Sequence, residues 1–162
     1  MLLLALVNWG AFAQHDHAKH DEKKMDANVA MFKDAKLGAA YEHYIHLKDA
    51  LVTSKSDEAK NAAKELQMSL AAVGDGKKAS DEAANVIKGS TLAEQRKAFL
   101  ELSNEMILLV QGGKLSMGAI YKEYCPMYGS SGGYWLSNEK QIKNPYFGDA
   151  MLNCGSVKET IQ

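Results

Sequence analysis

The stretch Tyr121–Trp135, YKEYCPMYGSSGGYW, breaks with everything upstream of it. The earlier chain is mostly Ala, Lys, Glu and Leu at helical spacing; here a Cys, a Pro and a Met stand in a row, followed by a Gly/Ser turn and aromatics. How the run into Pro126 is read decides the fold. The proline ring clashes with the backbone of the residue before it, which bars Cys125 from helical geometry. The spacing predicts a short helix over 115–124, with Cys125 left extended at its C-terminal end. The GGYWLS run at 132–137 can form a short extended piece, but no strand pattern competes elsewhere.

Upstream, apolar residues return every three or four positions. Val29, Phe32, Leu37, Tyr41, Tyr44, Leu51 and Val52 mark a helix over 28–53, and Ala59, Ala63, Leu66, Leu70 and Val73 mark a second, capped by Ser54 or Ser56. After the GDGKK turn comes a short helical piece over 80–88. Thr91 and Glu94 then form a capping box that opens a third long helix, and Gly112 and Gly113 stop it. Amphipathic helices with short connections cannot bury their stripes alone. The expected fold is therefore all-α: an antiparallel helical bundle of three long helices plus one or two short ones, closed by an irregular Cys/Met/aromatic C-terminal segment.

The 162 residues suit one domain, and a net charge of −1 gives no sign of a nucleic-acid or anionic-membrane partner. Residues 1–13, MLLLALVNWGAFA, form an apolar run ending in a small-x-small pattern, the mark of a secretory signal cleaved after Ala13, although no Lys or Arg precedes the apolar core. The run is far short of the roughly 20 residues that span a membrane. The expectation is an exported, periplasmic protein with no membrane insertion after cleavage. Residues 14–27 read as a flexible arm whose His15, His17 and His20 can capture metal weakly, and residues 28–162 as the folded domain.

Export changes the meaning of the two cysteines, Cys125 and Cys154, since disulfides persist in oxidising compartments. Closing a loop of about 30 residues would contribute roughly 3 to 4 kcal/mol. The rival reading is metal ligation. Thiolates and thioethers are soft donors suited to Cu(I), and Met127 and Met151 accompany the two cysteines, so a chain that doubles back brings four such donors together. His43 and His46 lie three apart on one flank of the first helix and can complete or neighbour such a site. Catalysis has no visible machinery: the chain lacks C-x-x-C, H-E-x-x-H, a Gly-rich phosphate loop and a G-x-S-x-G elbow.

Taken together, HYIHLKDALVTSKSDEA, EQRKAFLELSNEM, YCPMY, GYWLSNEKQIKNPYFGDAML and CGSVKETI resemble a bacterial envelope family, the domain of unknown function numbered three-three-four-seven. The resemblance spans roughly residues 28–161. Cys125, Pro126 and Met127 match its sulfur motif, Asn144 to Gly148 its closing loop, Met151, Cys154 and Gly155 its last element, and His46 the pattern of its first helix. Related sequences often carry a further His beside the QR pair, where this chain has Ala93, Glu94 and Lys97. Such domains also occur attached to membrane-fusion subunits of heavy-metal efflux systems, which implies copper, silver or a related ion as ligand and an efflux membrane-fusion protein as partner. The expected function is soft-metal binding, Cu(I) foremost, at Cys125, Met127, Met151 and Cys154 with His46 and His43. The alternative is a structural or partner-binding module stapled by a Cys125–Cys154 disulfide.

Overall fold

The computed structural model describes residues 30–162. The signal peptide expected at 1–13 and the His-rich arm expected at 14–27 lie outside the described residues. Four helices come first: α1 (Ala35–Val52), α2 (Ser56–Leu70), α3 (Lys77–Lys88) and α4 (Leu92–Gly112). Each packs on its successor, and α4 returns against α1. The apolar stripes do face inward, with Leu37, Tyr41, Tyr44, Leu51, Leu66, Leu70, Phe99, Leu102 and Met106 all buried.

The helix starts follow local chemistry, with two departures from expectation. Asp34 caps α1 by accepting from the Lys36 amide at 2.9 Å, so the helix begins at Ala35 and not at residue 28. Neither Ser54 nor Ser56 caps α2: the cap is Lys55, which makes no side-chain bond, while Ser54 sits at φ +57° and its Oγ accepts from Arg96. At α4 the capping box is present. The Glu94 amide donates to Thr91 Oγ1 at 3.2 Å, and Glu94 Oε2 accepts from the amides of Thr91 and Ser90 at 3.1 and 2.7 Å. Thr91→Ala should therefore lower the unfolding free energy by about 1 kcal/mol, read as a lower urea midpoint at unchanged slope.

The C-terminal third overturns the all-α expectation. It supplies strands, so the fold is mixed α and β: four helices with two antiparallel sheets. In the first sheet, β1 (Met31–Phe32) pairs with β2 (Leu115–Met117); in the second, β3 (Ile120–Cys125) lies between β4 (Gly133–Ser137) and β5 (Ser156–Ile161). The helix expected over 115–124 is thus two strands broken at Gly118, whose φ of +80° turns the chain between them. Within IYKEYC, β-branched and aromatic residues suit a pleated surface better than a helix. Pairing also gives partners to both rows of backbone groups: Tyr121 faces Ser137 and Glu123 faces Trp135 on β4, while Tyr124 faces Ser156 on β5. Cys125 is extended as expected, at the end of a strand and not of a helix.

The core between helices and sheet is a run of aromatic contacts. Phe32, Tyr41, Tyr44, Phe99 and Tyr146 follow one another at centroid spacings of 5.4 to 6.2 Å, and Tyr146 meets Trp135 edge-on at 5.8 Å and Tyr128 face-on at 4.2 Å. The Tyr44 hydroxyl, fully buried, bonds Ser103 Oγ at 2.8 Å and accepts from the Leu136 amide at 3.1 Å, tying α1 to both α4 and β4. Among the described residues, no helix is long and apolar enough to cross a membrane.

Candidate functional site

Strand pairing builds the sulfur pair. Cys125 is the last residue of β3 and wholly buried; Tyr124, beside it, pairs with Ser156, the first residue of β5. Cys154 stands two residues before Ser156, and the two Sγ atoms lie 3.1 Å apart. Gly155 permits this approach. At φ +150° its backbone passes so close to β3 and β4 that a Cβ there would sit 3.0 Å from the Tyr124 carbonyl oxygen and 2.9 Å from the Trp135 ring.

The NPYFG loop holds the second cysteine in place. Asn144, fully buried, donates through Nδ2 to the Cys154 carbonyl at 2.8 Å, and its amide donates to the Leu152 carbonyl, also at 2.8 Å. Its Oδ1 accepts from the Tyr146 amide at 2.8 Å, so each half of the side chain has a partner. Arg96 of α4 then pins the loop to the helices, donating to the carbonyls of Pro145 at 3.0 Å and Leu51 at 2.9 Å.

Of the four expected soft donors, the structure brings together the two thiols. Met127 exposes 62% of its surface, and Met151 is half-buried on the short 3-10 turn Gly148–Met151. The Cys154 thiol is pushed above its ordinary range, chiefly by its contact with the Cys125 thiol and then by burial, while the Met127 backbone amide pulls the other way. Cys154 therefore holds its proton more firmly than a free cysteine does.

His43 and His46 do not join it. Among the described residues, the one cluster of three or more metal-type side chains with donor atoms within 4.8 Å of one another is His43, His46 and Glu65. The imidazoles on α1 stand edge to face at 6.1 Å, and Glu65 reaches them from α2, its Oε2 3.4 Å from His43 Nδ1. Sequence spacing found the two histidines but not Glu65, because nothing local says which α2 residue lies opposite α1.

Residues 40–118 match the family described as Protein of unknown function (DUF3347). The match runs from α1 through β2, taking in His43, His46 and Glu65 and ending before Cys125; it is narrower than the span of 28–161 expected from resemblance. No curated protein and no solved structure matches the chain.

The fold also buries a carboxylate that the sequence did not single out. Glu123 on β3 is fully enclosed, and neither of its oxygens has a hydrogen-bond partner. Trp135 Nε1–H lies close enough to favour the ionised form but falls short of hydrogen-bond geometry. Burial dominates and raises the acid from 4.5 to about 7, against the opposing pull of Lys48. Lys48 is itself buried and bonded to Asp49 at 2.7 Å.

Proposed function

We propose that this protein binds a soft metal ion, copper(I) foremost, at the Cys125–Cys154 pair, for sequestration in the bacterial envelope or hand-off to heavy-metal efflux. One observation carries the reading: two thiols from separate parts of the chain meet at 3.1 Å, and among the described residues no histidine or carboxylate joins them in a cluster. Soft sulfur donors suit Cu(I) over harder ions. With metal–sulfur bonds of about 2.3 Å, as in zinc thiolates, a linear two-coordinate ion holds its sulfurs roughly 4.6 Å apart. The thiols must therefore part by more than an ångström, and the half-exposed Cys154 is the one with room to move. Because both ligands bind as thiolates, metal displaces protons, and affinity rises with pH.

The test is a titration of reduced protein with Cu(I) against a coloured Cu(I) chelator. The expected result is one Cu(I) per chain, lost in Cys125→Ser/Cys154→Ser; unchanged affinity in that double variant overturns the site. The hand-off rests on the family resemblance, and transfer of bound Cu(I) to a purified efflux membrane-fusion subunit tests it.

The same 3.1 Å contact favours a second reading, a structural disulfide that locks the segment before β5 to β3. Thiol counting on unreduced protein separates the two: no free thiol supports the staple, two support the metal site.

A further inference from the structure

We propose a second metal site, separate from the sulfur pair, in which His43, His46 and Glu65 hold a borderline divalent cation, zinc(II) or copper(II). Two imidazoles and one carboxylate are nitrogen and oxygen donors, a set suited to these ions and not to Cu(I). The three residues come from two elements, α1 and α2, so helix packing and not a flexible loop fixes their spacing.

The distances fit a first coordination sphere. A tetrahedral ion with bonds of about 2.0–2.2 Å holds its donors about 3.3–3.6 Å apart. His43 Nδ1 and Glu65 Oε2 already stand at 3.4 Å, and the three donor atoms all lie within 4.8 Å, so side-chain rotation suffices to close the site. His43 Nδ1 is moreover buried without a hydrogen-bond partner, despite the nearby carboxylate. Buried polar atoms are rarely left in that state, and a cation would satisfy it.

The neighbouring charges do not compete. Asp49 is bonded to Lys48 at 2.7 Å and Glu58 to Lys55 at 2.9 Å, whereas Glu65 has no Lys or Arg partner among the described residues. His46 and Glu65 line an open cleft of about 470 Å³ between α1 and α2. With His43 Nδ1 buried behind them, these two donors face the cleft, and three protein ligands leave a fourth position open to water or an incoming ligand, the arrangement of an exchangeable site and not of a closed structural one.

The experiment uses the full chain carrying Cys125→Ser/Cys154→Ser and His15→Ala/His17→Ala/His20→Ala, which removes the sulfur pair and the N-terminal histidines. Zinc(II) is titrated into it against a chromophoric chelator. The expected result is one zinc per chain, with affinity falling at least about ten-fold in Glu65→Gln and about a hundred-fold in His43→Ala/His46→Ala, since loss of mere outer partners already costs about 10–100-fold. Equal affinity in all three proteins, or no binding in the parent, overturns the site. Far-UV circular dichroism checks the fold; if a variant unfolds, the copper(II) electron paramagnetic resonance spectrum of the parent decides, and a spectrum lacking coupling to two nitrogens also overturns it. Cu(I) binding by the wild-type thiols is read separately, so either site can fail alone.

Discussion

Trp135→Ala should remove about 3–5 kcal/mol of stability, as large-to-alanine changes in packed cores do. The side chain is fully buried at the centre of β4. It meets the Tyr146 ring edge-on at 5.8 Å on one side, while on another Gly155 runs so close that a Cβ there would sit 2.9 Å from the indole. Removing the indole therefore opens a cavity under both the NPYFG loop and the backbone beside Cys154. Domains of this size hold about 5–15 kcal/mol in all, so the loss is a large fraction of the total. The measurement is urea unfolding, with Leu108→Ala as control: Leu108 exposes 62% of its surface on α4, and such surface changes stay within about 0.5 kcal/mol. A Trp135→Ala loss no greater than the control's would contradict the packing described here. A second readout follows from position. With its support gone, the dithiol should close into a disulfide more slowly under a mild oxidant than in the wild type.

The helical part of this fold was legible because each stripe is local: a period of three to four residues carries its own evidence of a buried face. The capping box and the Gly112–Gly113 stop could be read for the same reason, since their partners lie within one turn. The sheet could not. Ile120, Tyr121 and Tyr124 also fit a helical spacing, and the strands that decide otherwise lie far along the chain, Trp135 opposite Glu123 and Ser156 opposite Tyr124. β5 gave little apolar signal, since five of its six residues are exposed and it is held by backbone pairing to β3. At the candidate sites, chain reversal did bring Cys125 to Cys154, but it left Met127 in solvent and turned His43 and His46 towards α2. The sulfur pair was readable as two matched motifs; Glu65 was not, because which residue faces an imidazole across a helix pair is set by packing.

Glu123→Gln should abolish a pH dependence of stability that the wild type carries. Burial holds the folded carboxyl at about 7 against its ordinary 4.5, so the native state keeps a proton that the unfolded chain has released between those values. Stability changes with pH in proportion to protons bound by the unfolded state minus those bound by the native state. Here that difference is negative. The contribution is thus fully present below pH 4.5, falls across the window up to about 7, and stays lost above it. A shift of this size corresponds to about 3 kcal/mol. Glutamine keeps the shape and stays neutral, so at pH 8 the variant should be more stable than the wild type by up to that amount, and near pH 4 the two should agree. Other carboxylates contribute their own pH dependence to both proteins and cancel in the difference. Lys48 is the competing influence, because it favours the ionised acid; yet it already has Asp49 at 2.7 Å and keeps that partner in the variant. Unfolding free energies of both proteins at pH 4, 6 and 8 decide the matter. If Glu123→Gln is instead the less stable protein at pH 8, the carboxylate is ionised and paired with Lys48, and the interior between α1 and the sheet is an ion pair and not a neutral acid.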